Sequence, residues 1–268
     1  MKRRDFIKFG TAGLTSAAAG SVGLLSWIPR AYAATISKTY YITDGYTAMP
    51  DGVDVYFKGF SSSSSTLNVP GASTIVQEGD TVQITVVNTL SSSHSFVIDG
   101  LADSGTIAAG QTKTVTFTAG NPGTHMFYDK LNAPYNRLVG LHGAFAVMPS
   151  GSSNELYAGS ATFVQQYAWV TNDIDPVWHD DVRRGRTPSS TFNPYYFTIN
   201  GRTLLVPRHA EFGDPHIDSG FNPETRLGGS IGDRAQVTNP NAGLRIHPGH
   251  FPPQPGDRTE EKGQPRPP

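Results

Sequence analysis

Between Lys38 and Pro149, apolar and polar residues alternate in short runs instead of recurring at helical spacing. The clearest run spans positions 81–87, where Val82, Ile84 and Val86 alternate with Thr81, Gln83 and Thr85, the two-residue period of a half-buried strand. Thr114-Val115-Thr116-Phe117-Thr118 repeats the pattern. Six further runs rich in Val, Ile, Thr, Tyr and Phe lie at 40–43, 53–57, 74–77, 95–98, 124–128 and 144–148, bringing the expected total to about eight strands. Clusters of Gly, Ser, Asn, Asp and Pro separate them, and the serine run at 61–65 reads as a solvated loop. This punctuation predicts an all-β Greek-key sandwich over residues 34–150.

After Pro149, a Gly151-Ser152-Ser153-Asn154 segment marks a linker. A second, incomplete β-unit is expected over 151–251. Positions 164–170 read as a strand, 175–184 as a short helical or irregular excursion, and Tyr196-Phe197-Thr198-Ile199-Asn200-Gly201 as a strand ending in a turn. Residues 252–268 are proline-rich, charged and without periodicity, the composition of a disordered tail.

The amino terminus reads Lys2-Arg3-Arg4-Asp5-Phe6-Ile7-Lys8, then an uncharged stretch at 9–28, then Pro29-Arg30-Ala31-Tyr32-Ala33. A basic start, an apolar centre and an Ala-x-Ala site form an export signal over 1–33. The twin arginine resembles the signal read by the twin-arginine translocase, so a periplasmic or extracellular location is expected. No later segment is apolar enough to span a bilayer, so no membrane association is expected after cleavage. The formal net charge is -1, and loss of Lys2, Arg3, Arg4, Lys8 and Arg30 with Asp5 takes the mature chain to about -5. An acidic chain without a basic stripe argues against a nucleic-acid partner.

There is no cysteine. No disulfide can hold the fold, and a blue copper centre, which needs a thiolate beside two imidazoles, cannot be made by this chain alone.

Several motifs carry a family resemblance. The stretch from Pro70-Gly71 through Ile75 to Gly79-Asp80-Thr81-Val82 resembles the Pro-Gly-x-x-Ile-x-x-x-x-Gly-Asp-x-Val segment that opens multicopper oxidase domains. Ile107-Ala108-Ala109-Gly110-Gln111-Thr112, Pro122-Gly123-Thr124 and Gly140-Leu141-His142-Gly143-Ala144-Phe145-Ala146-Val147 follow in the same order as later turns and the last strand of that domain. Asp173-x-Asp175-Pro176-x-Trp178-His179, Thr198-Ile199-Asn200-Gly201 and Gly232-Asp233 resemble the second domain of large bacterial multicopper oxidases. The likeness, to this family's cupredoxin-type amino-terminal domains, runs from about Tyr40 to about His250. It implies an oxidoreductase with copper as cofactor and a small-molecule reductant as partner. The likeness stops after Phe251, where a frameshift or truncation is expected; the unfinished second sandwich would expose strand edges and favour self-association.

Imidazole is the copper ligand this composition offers, and there are eight histidines. His94 stands at a strand start where cupredoxins place a first ligand, with Phe96 where an oxidase carries a second imidazole. His125 and His142 lie in later strands, and His247 and His250, in His247-Pro248-Gly249-His250, lie where the family enters a metal-binding strand. His94, His125, His142, His247 and His250 are therefore the candidate copper ligands. His179, His209 and His216 read as surface residues, and Asp173, Asp175, Asp180 and Asp181 as loop acids in solvated ion pairs with Arg183 and Arg184. Asp129 and Lys130 occupy the place where a ligand-bearing cupredoxin would carry Cys and His or a His-x-His, which predicts a copper-free first domain. No Walker loop, dinucleotide fingerprint or Gly-x-Ser-x-Gly elbow is present. Two functions stay open: a copper oxidase, and a copper-free scaffold or interaction module.

Overall fold

The computed structural model describes residues 33–152, 154–157, 159–203, 230 and 232–247, with the backbone alone of the pairs 24–25, 260–261 and 264–265. The rest of the expected export signal, His209, His216, His250 and most of the proline-rich tail lie outside the described residues.

The expected strands form where the alternation placed them. In chain order they are β1 (Thr35–Ala48), β2 (Asp54–Ser61), β3 (Gly71–Gln77), β4 (Thr81–Asn88), β5 (Val97–Ile98), β6 (Ala102–Asp103), β7 (Thr112–Thr118), β8 (Gly123–Tyr128) and, after the short helix α1 (Tyr135–Leu138), β9 (His142–Met148). One sheet has the order β2-β1-β4-β7 and the other β3-β9-β8-β5-β6. The β1–β4 and β3–β9 pairs are parallel and the remaining pairs antiparallel. In β4, Val82, Ile84 and Val86 are buried while Thr81 and Gln83 are exposed, so the pleat sorts the side chains as the alternation required.

The core between the sheets is aromatic. Tyr40 and Phe127 lie 5.1 Å apart, Phe96 stacks on Phe127 at 5.3 Å, and Phe60 meets both Phe96 and Phe127 edge-on. Phe96 belongs to this packed cluster and is fully buried. Gly143 of β9 lets Phe127 in: a Cβ there would lie 2.2 Å from the Phe127 ring and 2.7 Å from the Gly71 carbonyl. A Gly143→Ala protein should therefore lose about 1–3 kcal/mol of stability or more through overpacking. The check is a lower guanidinium midpoint at unchanged slope; an unmoved midpoint would contradict this account of the core.

The second unit contributes β10 (Gln165–Ala168), β11 (Thr171–Ile174), α2 (Pro176–Arg183), β12 (Tyr196–Ile199) and β13 (Ala235–Thr238). β10 pairs with β13 in parallel and β11 with β12 antiparallel. The excursion at 175–184 is a helix because Asp175 caps it, accepting from the Val177 and Trp178 amides, and Pro176 fits the first helical position. This unit packs on the sandwich: Met49, Val55 and Phe57 share one apolar cluster with Ile174 and Tyr196. The Tyr196 hydroxyl reaches the Asp51 carboxylate at 2.8 Å, and Asn172 Nδ2 donates to the Leu138 carbonyl at 2.8 Å.

Two sequence expectations are corrected here. His179 is not a surface residue: it is 1 % exposed, against the sandwich. Trp178, His179 and Val182 form the inner face of α2, whereas Asp180, Arg183 and Arg184 make the outer ion pairs. Asp173 and Asp175 are also buried, not solvated, because both carboxylates accept backbone amides.

Candidate functional site

The densest polar cluster lies at one end of the sandwich, around His94. The segment that carries it is clamped by reciprocal backbone hydrogen bonds between His94 and Ile107 at 3.0 and 2.7 Å. Asn88 Nδ2 adds bonds to the Ser92, Ile107 and Ala108 carbonyls. Pairing of β5 with β8 sets Val97 opposite Tyr128 and so carries Asp129 to the His94–Ser95 step.

His94 and Asp129 are both fully buried. His94 Nδ1 donates to Asp129 Oδ2 at 2.6 Å, and Asn136 Nδ2 donates to the same oxygen at 2.9 Å. Asp129 Oδ1 accepts from the Ser95 amide at 2.9 Å, the Ser95 hydroxyl at 2.6 Å and the Leu131 amide at 2.9 Å. The carboxylate thus has its lone pairs filled, which is how a charge is kept in a dry interior. On its other side, His94 Nε2 meets the Ser92 hydroxyl at 2.9 Å. Both ring nitrogens are occupied, so the cluster is closed. The position expected to carry a copper ligand holds a hydrogen-bonded carboxylate, and a metal could enter only by breaking this network.

The other candidates are placed separately. His142 opens β9, is 1 % exposed, and donates Nδ1 to the Arg137 carbonyl at 2.7 Å. His179 faces the same seam from α2, donating Nδ1 to the Tyr56 carbonyl at 2.6 Å with its ring edge-on to Phe57. Burial pushes both imidazoles down to about 4; the hydrogen bonds to the Arg137 and Tyr56 carbonyls oppose it, the charges of Arg137 and His179 add to it at His142, and Asp175 opposes it at His179. His125, on β8 opposite Phe145, has a buried Nε2 without a hydrogen-bond partner, and burial also lowers its pKa. His247 pairs with Asp173 Oδ1. Asp173 Oδ2 meanwhile accepts the Leu244 and Arg245 amides, so this imidazole helps pin the chain after β13. Among the described residues, no group of three or more His, Asp or Glu side chains converges to hold a metal ion.

Beside the His94 cluster lies a cavity of about 350 Å³ between the sandwich and α2. Ser92 and Asn136 from the cluster line it together with Lys58, Arg183 and Arg186. Sequence reasoning passed over Ser92 and Lys58; each sits in a locally ordinary context, and no short motif marks either.

Comparison with known proteins agrees with this architecture. The cupredoxin-like domain family matches residues 69–137. The copper-containing nitrite reductase of Alcaligenes xylosoxydans xylosoxydans is 24% identical over 166 residues, covering 58% of this chain and 50% of that protein. The chain thus spans about half the length of that curated relative. Among solved structures, the multicopper oxidase mgLAC superposes with a TM-score of 0.54 at 20% identity, over 65% of this chain and 56% of that one. The copper nitrite reductase from Nitrosomonas europaea superposes with a TM-score of 0.57 at 21% identity, over 79% of this chain and 69% of that one. At these identities the likeness is one of fold.

Proposed function

We propose that this cupredoxin-fold chain is an exported protein of the copper oxidoreductase lineage, multicopper-oxidase-like, whose first domain has exchanged its copper centre for hydrogen bonds and acts as a rigid scaffold. The observation that carries the reading is Asp129. It stands where a ligand-bearing cupredoxin would carry a copper ligand, is fully buried, and is tied to His94, Asn136, Ser95 and Leu131. These residues do not fit copper: the carboxylate is saturated, both His94 nitrogens are engaged, and the chain has no cysteine. The packing of β11, α2 and β12 on the sandwich supports the scaffold role, since a domain that shares its apolar cluster with its neighbour fixes that neighbour's orientation.

In an oxidase of this lineage, the withdrawal of single electrons from a small-molecule reductant would fall to residues outside the first-domain cluster. His247 and His250 are the histidines offered by the second unit for that role. A nitrite reductase ancestry is the second reading, favoured by the longer alignment to the reductase structure than to the oxidase.

The test is copper titration of the purified, exported chain followed by desalting, metal analysis, absorbance and electron paramagnetic resonance. The expected result is no thiolate-to-copper absorption, less than one copper retained per chain, and no turnover of a phenol with oxygen or of nitrite. Stoichiometric copper that survives desalting and disappears in a His94→Ala protein would overturn the scaffold reading.

A further inference from the structure

The closed cluster has the connectivity of a hydrolytic triad. Ser92 Oγ lies 2.9 Å from His94 Nε2, and His94 Nδ1 lies 2.6 Å from Asp129 Oδ2. An ionised carboxylate can only accept, so the Nδ1 proton points at Asp129 and Nε2 keeps its lone pair for the Ser92 hydroxyl. That is the order of nucleophile, base and orienting acid by which such sites are recognised whatever the fold or chain order.

The surroundings match the other requirements of such a site. Asp129 and His94 are buried, whereas Ser92 is exposed and lines the cavity of about 350 Å³. The base is held from both sides: the Ile107 clamp fixes its backbone and Asp129 its ring, with Asn136 and Ser95 fixing Asp129 in turn. Lys58, a residue only 7 % exposed, lines the same cavity as Ser92, and its ammonium has no hydrogen-bond or ion-pair partner among the described residues. Burial lowers its pKa, opposed by the charges of Asp129 and Asp44. An ammonium that lines a cavity with no direct ion-pair partner is free to receive an anionic group of a substrate. Arg183 and Arg186 line the same cavity and extend the positive field, although both are also paired with Asp180 or Asp181.

We propose that Ser92, His94 and Asp129 form an acyl-transfer site that hydrolyses small esters whose acyl part carries a carboxylate, with Lys58 as the cationic group that receives the substrate. Ser92 Oγ attacks the ester carbonyl as His94 Nε2 takes the hydroxyl proton. The tetrahedral intermediate expels the alcohol, which leaves with that proton from His94. Water then attacks the acyl-serine, giving its proton to His94, and collapse releases the carboxylic acid and returns the proton to Ser92. The net reaction is ester plus water to acid plus alcohol, with no redox step. Ser92 and His94 are the catalytic residues, and Asp129 is a positioning residue.

The experiment uses the full chain with two probes, a fluorophosphonate reagent and the 4-nitrophenyl hemiester of succinic acid. Fluorophosphonate should add its phosphonyl group, its mass less that of the HF released, to the tryptic peptide containing Ser92. Hemiester hydrolysis should fall at least about a hundredfold in Ser92→Ala, with the melting transition unmoved. Ser93→Ala, a neighbouring hydroxyl outside the triad, should keep both labelling and turnover. Lys58→Met should raise KM for the hemiester more than for 4-nitrophenyl acetate, and a folded Asp129→Asn protein should lose kcat at little-changed KM. Absence of labelling in the folded wild-type chain, or labelling and turnover that survive Ser92→Ala, would overturn the proposal.

Discussion

An Asp129→Ala protein should unfold with about 3–5 kcal/mol less stability than the wild type, the range for removing one partner of a buried charged network. The carboxylate is fully buried and accepts from His94, Asn136, the Ser95 amide and hydroxyl, and the Leu131 amide. Truncation strips these donors of their acceptor in a place water cannot readily reach, so the loss is the desolvation penalty of several orphaned groups. Asp129→Asn should cost less than alanine but still destabilise, because its amide face presents donors to donors. Guanidinium unfolding at neutral pH measures both. An alanine variant within about 0.5 kcal/mol of wild type, the size of an ordinary surface substitution, would show that the network does not hold this end of the sandwich together. The same result would remove the ground for reading Asp129 as a structural replacement for a copper ligand.

Stability should also fall steeply as pH drops from about 6.5 to about 4, because of two imidazoles at the seam between the sandwich and the second unit. His142 and His179 are buried and held at about 4 in the folded chain, from an ordinary value of 6.5. Between those values the unfolded chain binds a proton at each histidine that the folded chain does not. Stability therefore rises with pH in this window and is lost as pH falls through it. Each histidine contributes up to about 3 kcal/mol across the window, and below about pH 4 both states are protonated, so their contribution levels off. Urea unfolding at several pH values checks the slope, and a His179→Leu protein should show a visibly shallower one. Equal slopes in variant and wild type would assign the acid sensitivity elsewhere. Because His179 reaches across to the Tyr56 carbonyl, acid should loosen α2 from β2 before the aromatic core melts.

The strands were legible because their signal is local. Val82, Ile84 and Val86 declare their buried face within seven residues, and the pleat obeys it. The absence of any cysteine, and the presence of Asp129 where a copper ligand was expected, could likewise be read directly. The fate of His179 was misread because the charges of Asp180, Asp181, Arg183 and Arg184 dominate the string. A helical reading anchored on Asp175-Pro176 would have put Trp178, His179 and Val182 on one inward stripe. Asp173 was misread for a related reason: its partners Leu244, Arg245 and His247 are more than seventy positions away.

The chain alone determined a β-sandwich with cupredoxin-like turns and no blue copper centre, since alternation, turn chemistry and residue inventory are properties of neighbours or of composition. Only the tertiary structure decided what the imidazoles do. Ser92, His94 and Asp129 meet because β5 pairs with β8 in one particular register, and His142 and His179 share a dry seam because α2 lies on β2. Whether a histidine becomes a ligand, a base or a buried neutral ring depends on which groups reach its two nitrogens. Those groups are brought to it by sheet register and helix docking across long stretches of chain, which no local pattern encodes.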